Sequence, residues 1–338
     1  MSKMNNCKND LDLLKTICDD LIINSQSIKD IGLLNGKLGI SIYLFQISRI
    51  LKIEKYERFA EKLIDQIIDQ IDSNLSSTFD NGLAGIAYGL HFLIHNQYIE
   101  TDGKDIFTEI DNQIFRSLTD KSEISIFENI GYIIYLTSGL DNKDSISIRY
   151  QKRLLIELIN NLSQNIDSSA IFQEPLLFDI TWNLPLLLYS LSKVLELKLY
   201  EHKITRIIEH ISVPALSFFP CLNCNRLYLF WGMKCVLQYM HHPNWENHSE
   251  LLKQNINMDI MFSNEFKNKS ISVDHGISGV MLIIDHLYVY FSEESFRLPS
   301  SYWVNRILSS DYWVSDREYF GFLAGYTGIG LALLSTIK

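Results

Sequence analysis

Apolar runs that open on paired glycines alternate along this chain with segments whose apolar residues recur at helical spacing among charges. The clearest run is Asn81-Gly82-Leu83-Ala84-Gly85-Ile86-Ala87-Tyr88-Gly89-Leu90: a polar residue, Gly, two residues, Gly, then an apolar stretch. The same order appears in Asn35-Gly36-Lys37-Leu38-Gly39-Ile40, His275-Gly276-Ile277-Ser278-Gly279-Val280 and Ala324-Gly325-Tyr326-Thr327-Gly328-Ile329. The interval from 82 to 276 holds three more copies at a similar period. Phe127-Glu128-Asn129-Ile130-Gly131 keeps the second glycine, and Trp182-Asn183-Leu184-Pro185 keeps the shape without one. Asn225-Arg226-Leu227-Tyr228-Leu229 is the weakest. The markers run 36, 82, 128, 183, 226, 276 and 325, in steps of 43 to 55 residues.

Between these copies lie amphipathic helices. Residues 47–71 place Ile50, Ile53, Phe59, Leu63, Ile67 and Ile71 close to a 3.6-residue period, and residues 150–166 do the same with Leu154, Leu155, Leu158, Ile159 and Leu162. Each repeat therefore predicts an inner helix with no polar face and an outer helix that keeps one. Gly at i and i+3 of a helix start bares the backbone on one side, so neighbouring chain approaches closely. Seven such starts gather at one end of a barrel. Packing accounts for most of these glycines, and one or two copies are expected to carry chemistry.

Composition narrows the function classes. A chain of 338 residues suits two domains or one closed repeat fold, and 47% hydrophobic content supports a large core without crosslinks. A net charge of -10 argues against a broad nucleic-acid surface but leaves a basic peptide partner open. The polar start predicts no signal peptide, and no apolar stretch reaches the ~18 residues that span a bilayer. Five sparse cysteines do not form a disulfide framework, so a reducing cytoplasm is expected. No Walker lysine motif is present, and the only GxGxxG-like stretch, in the last repeat, lacks a preceding strand.

Seven GxxG-type starts at this period, with Asp274-His275-Gly276-Ile277-Ser278-Gly279 in the sixth, resemble the lanthionine synthetase C-like family over about residues 30 to 338. The resemblance implies an all-α fold, an α/α toroid of seven helical hairpins forming one domain over 1–338. It implies thioether ring closure, in which a cysteine thiol of a precursor peptide adds to a dehydrated serine or threonine. It also implies zinc. The thiolate is the nucleophile, and coordination deprotonates a thiol that is otherwise mostly protonated. A catalytic zinc keeps three protein ligands and one open position for the substrate.

Carried over residue by residue, the match is partial. His275 falls on the family's histidine ligand, Asp274 stands where the family has cysteine, and Cys224 falls on the fifth-repeat cysteine, with Cys221 as the fallback. Cys, Asp and His are each competent zinc ligands, and protein prenyltransferases resemble this site in using that trio. Trp182 occupies the family's proton-transfer histidine, and an indole is no acid or base near neutral pH. Ile124, with Glu123 beside it, stands at the family's third-repeat carboxylate. Glu128 and Arg226 replace glycines and, with Tyr228, are candidate substrate contacts, either as a rebuilt site or as a Glu–Arg pair.

Plainer readings stand beside these. His275 caps a helix, Asp274 serves the helix dipole, Tyr228 and Cys235 are core, His241-His242 is a solvated turn, and His91, His95 and His286 are packing residues. Two functions follow: a cyclase acting on a ribosomally made peptide, or a toroid that holds the peptide for a partner dehydratase. A sugar-active barrel is the third, and no paired carboxylates recommend it.

Overall fold

In a computed structural model, the structure describes residues 10–72, 75–100, 104–120, 124–140, 145–166, 171–267, 270–310 and 319–337, and all regular elements among them are helical. The order is α1 (Asp10–Asn24), α2 (Lys37–Leu51), α3 (Glu54–Gln70), α4 (Leu83–His95), α5 (Lys104–Asp120), α6 (Ile126–Gly139) and α7 (Ser145–Asn165). There follow α8 (Asn183–Glu196), α9 (Glu201–Ser217), α10 (Asn223–Leu237), α11 (Pro243–Gln254), α12 (Ile277–Phe291), α13 (Ser300–Leu308) and α14 (Tyr326–Ile337). A short helical segment, Met258–Ile260, continues as one π turn over Met261–Glu265 ahead of α12.

The even-numbered helices form the inner ring. Each touches the next, and α14 returns to α2, so the ring closes. Leu83, Ala84, Ile86, Ala87 and Leu90 of α4 point to different sides and are all buried, as a helix with neighbours on several sides requires. Outer helices bury one stripe: in α3 these are Tyr56, Ala60, Leu63, Ile64 and Ile67, while glutamates and lysines face water. The periodic segment that begins at Ile47 is two elements. Its first residues finish α2, Lys52 takes a left-handed conformation (φ 56°), and α3 starts at Glu54. The outer helix of the last inner helix is α1, which packs on α14 and accepts the Tyr43 hydroxyl at the Leu14 carbonyl. Its acidic residues obscured that role in the sequence.

The glycine starts share one loop. The N–H after the first glycine donates to the carbonyl seven residues earlier: Lys37 to Asp30 (2.9 Å), Leu83 to Ser76 (2.8 Å), Ile277 to Ser270 (3.1 Å) and Tyr326 to Tyr319 (2.9 Å). The loop thus folds back over the first turn of its own helix and satisfies amides that a helix start leaves without partners. Two glycines make room for it. A Cβ at Gly82 would lie 2.3 Å from the Ser76 carbonyl oxygen, and one at Gly85 1.9 Å from that of Phe79.

These loops also bond to one another around the mouth of the barrel. Leu34 N donates to Asp80 O, Phe322 and Leu323 N to Leu34 O, Val273 and Asp274 N to Leu323 O, and Ile180 N to Asp274 O.

Three starts differ. Glu128, Asn183 and Arg226, which stand at the glycine markers, all lie inside helices. The N-caps are Ser125, Trp182 and Leu222 instead. Relative to the marker, α6 and α10 begin about one turn early. A side chain at the marker blocks the fold-back loop, and the helix continues toward the mouth in its place. The repeat starts expected near 128 and 226 therefore move upstream to Ile126 and Asn223.

Candidate active-site mouth

All inner helices point their N-termini at the same mouth, so the backbone N–H groups and the positive ends of seven helix dipoles converge there. At the fifth start the groups that meet these amides are two glutamates from distant connections. Glu265, at the end of the π turn, accepts from Asn223 N (2.7 Å), Asn223 Nδ2 (2.7 Å) and Cys224 N (2.9 Å). Glu174 accepts from Cys221 N (2.9 Å) and Asn225 Nδ2 (3.0 Å). Carboxylates on helix-start amides form charge-assisted bonds, the stronger kind. No local motif announces either glutamate, because each reaches its partners across more than forty residues of chain.

The extra turn at this start changes the setting of Cys224. It is the second residue of α10, fully buried, with its thiol donating toward Asn225 Oδ1. Burial, and then the neighbouring Glu265 carboxylate, push that thiol far above the ordinary cysteine range. Cys221, three residues earlier, is exposed and lies outside the helix.

Phe178 ties the fourth connection to the fifth and sixth helices. Its ring packs on Tyr228 (centroids 6.0 Å apart) and Phe266 (5.9 Å), and sits where a Cβ at Gly279 would clash. Its carbonyl meets His275 Nδ1 at 3.1 Å. His275 is otherwise exposed at the tip of its loop. Asp274 folds its own turn, with Oδ1 receiving the Ser272 hydroxyl and the His275 N–H. Asp30 and Asp179 do the same in their loops, accepting from Gly32 N (2.7 Å) and Thr181 N (2.8 Å).

The resemblance in sequence implies a zinc ion held by Cys224, Asp274 and His275. Among the described residues no three His, Cys, Asp or Glu side chains come together to hold a metal ion. Cys224 is buried inside a helical turn, with its thiol turned to Asn225 Oδ1. Asp274 Oδ1 is committed to its own turn. As arranged, Cys224, Asp274 and His275 do not fit the ion.

The remaining candidates are placed as follows. Trp182 caps α8, is buried, and packs edge-on against Phe218 and Tyr228; its Nε1 has no hydrogen-bond partner among the described residues. Glu128 closes a capping box with Ser125 on its own helix. Arg226 donates to the carbonyls of Pro220, Cys221 and Asn255 and to Asn223 Oδ1, which binds the fifth start to the connection after α11. Tyr228 is fully buried and donates to Ile180 O at 2.6 Å. Glu123 lies outside the described residues, and Ile124 packs against the core. Cys235 is buried in the core, and His241 is exposed beside Glu246. At the opposite end of the barrel His91 lines an open cavity of about 400 Å³ together with His95, Tyr189, Lys193 and Tyr290, and His286 accepts from Trp231 Nε1.

Among the described residues no helix is long and apolar enough to cross a membrane. Compared with curated proteins, the sequence matches none. Among solved structures it is similar in fold to nisin cyclase, with a TM-score of 0.60 and 14% identity, covering 96% of this chain and 93% of that one. Residues 27–177 match the family described as lanthionine synthetase C-like protein. That match covers less than half of the chain, and the glycine-start repeats and the closed toroid continue beyond it to the last described helix.

Proposed function

We propose that this protein serves lanthipeptide maturation as a cyclase-type toroid that receives a precursor peptide at the glycine-start mouth. The observation that carries this reading is the family match over residues 27–177, set in a toroid that spans the whole chain. The reaction is addition of a peptide cysteine thiol across the Cα=Cβ double bond of a dehydrated serine or threonine: the Cβ–S bond forms, the π bond and the S–H bond break, and the proton ends on Cα. The rim supports peptide docking. Leu176 is 95% exposed and Leu177 59%, and they follow Pro175, whose carbonyl is bonded to Asn225 of the fifth start. Phe219, exposed on the facing loop, extends this apolar edge. A net charge of -10 favours a peptide carrying basic residues. On this reading the protein works in the cytoplasm beside a partner dehydratase.

A second reading is favoured by Trp182 and by the fifth start. With an indole at the proton-transfer position and Cys224 sealed in a helix, the toroid holds the peptide while the dehydratase acts, and closes no rings itself.

Ring closure leaves the peptide mass unchanged but consumes free thiols. Incubating the purified protein with a dehydrated precursor peptide, then alkylating and counting labelled thiols by mass spectrometry, separates the readings. Loss of alkylation supports the cyclase. Retained thiols with measurable peptide binding, by fluorescence anisotropy, support the holder. Absence of both removes the peptide reading altogether.

A further inference from the structure

We infer that the fifth helix start of this protein is a carboxylate-clamped structural joint, and that the toroid holds its fold and its mouth without zinc. The inference stands on what the groups there are doing, independently of whether a peptide binds. With a side chain at position 226, α10 begins one turn early, and residues 223 and 224 enter its first turn. The amides exposed by that extra turn are the ones Glu265 takes, with two bonds from Asn223 and one from Cys224 N. Glu174 takes the amide just ahead of the helix and the Asn225 side chain. Arg226 then spends its guanidinium on three carbonyls of the surrounding loops and on Asn223 Oδ1 of its own first turn, so the residue that displaced the glycine also secures the rebuilt start.

The joint draws two distant connections onto the fifth start. Glu174 comes from the segment before α8, while Glu265 and Asn257, whose N donates to Asn223 Oδ1 (2.8 Å), both come from the connection between α11 and α12. In a zinc site of this family the metal would tie the fifth start to the sixth. Here Glu265, with Phe178 packed between helices α10 and α12, makes that tie with protein groups alone. The π turn that carries Glu265 inserts an extra residue into a helical segment, a distortion that often marks a functional position, and its function here is to aim the carboxylate at the amides of α10.

The test uses the full chain purified from zinc-supplemented medium. Metal content is measured by mass spectrometry, and thermal unfolding is followed by circular dichroism with and without chelator. The expected result is zinc far below one ion per chain and a melting temperature unmoved by chelator or by added zinc. Glu265→Gln, which removes the charge and keeps the shape, should lower the melting temperature by several degrees without changing the metal content. If that variant does not fold, thiol labelling of the unaltered protein decides: Cys221 should react at once and Cys224 only on unfolding, at the same rates whether zinc is present or not. Stoichiometric zinc that disappears in His275→Ala, a melting temperature that falls with chelator, or protection of Cys224 by zinc would each overturn the inference.

Discussion

Replacing Gly85 with alanine should destabilise the toroid, although alanine is the better helix former. Gly85 is the second glycine of the second start, and a methyl group there would come 1.9 Å from the Phe79 carbonyl oxygen and 2.9 Å from its carbon. Both are backbone atoms, so the loop itself must move. That loop is held by Leu83 N to Ser76 O and Ala84 N to Ser77 O, and moving it lengthens both bonds. Overpacking costs about 1 to 3 kcal/mol. The two loop bonds contribute ~1 kcal/mol each. Helix propensity returns ~1 kcal/mol. The balance is a loss of roughly 2 to 4 kcal/mol. At ~2.1 cal/mol/K per residue the unfolding entropy of this chain is about 0.7 kcal/mol/K, so the melting temperature should fall by about 3 to 6 °C. Differential scanning calorimetry of the two proteins at one pH measures it directly. If Gly85→Ala melts at or above the temperature of the unaltered protein, propensity outweighs the fold-back loop, and the steric account of the glycine starts is wrong.

Three further outcomes are expected. Tyr228→Phe removes the 2.6 Å bond to Ile180 O from a fully buried ring and should cost about 1 kcal/mol in urea unfolding while leaving peptide affinity unchanged; a large loss of affinity with stability intact would place Tyr228 in the binding surface. Burial lowers the pKa of His91 to about 4, so the folded protein resists a proton that the unfolded chain accepts near 6.5. Stability from this group is then complete above about pH 6.5 and falls by ~1.4 kcal/mol per pH unit toward pH 4, and His91→Phe should flatten that slope in urea titrations between those values. Leu176→Asp puts a charge on the exposed rim and should weaken precursor-peptide binding by about ten- to a hundredfold, since a buried leucine contributes about 1.5 to 3 kcal/mol; unchanged affinity would move the docking surface elsewhere.

The good repeats were legible because their signal is local. Gly, two residues, Gly and an apolar run all lie within one helical turn and its continuation, and the loop they accommodate is seven residues long. Periodicity separated inner from outer helices for the same reason, and it failed where the break depended on one backbone conformation, at Lys52 between α2 and α3. At the degenerate repeats the helices α6 and α10 begin at Ile126 and Asn223, ahead of the markers at 128 and 226. Glu128 and Arg226 were visible as replaced glycines, yet the consequence, an extra helical turn, follows from sterics against a loop that a linear reading does not hold in view. Glu174, Glu265 and Phe178 gave no warning at all. Each acts on residues of another repeat, and an isolated glutamate or phenylalanine in a connection carries no pattern. Cys224 shows the cost of that blindness, since its spacing suggested a ligand while its depth was decided by partners elsewhere.

The belt of bonds between loops has a consequence for how this chain reaches its folded state. Phe322 and Leu323 donate to Leu34, and α1 packs on α14, so the ring is sealed by residues near the two ends of the described chain. An open array of helical hairpins can nucleate anywhere and add repeats one by one, each stabilised by the last. A closed one gains its final interface only when the last repeat arrives, after the loop-closure entropy of nearly the whole chain has been lost. Assembly of the first six repeats on the ribosome would leave the apolar flanks of α2 and α12 uncovered until α14 emerges. The seventh repeat is therefore both a wall of the barrel and the step at which that surface leaves water.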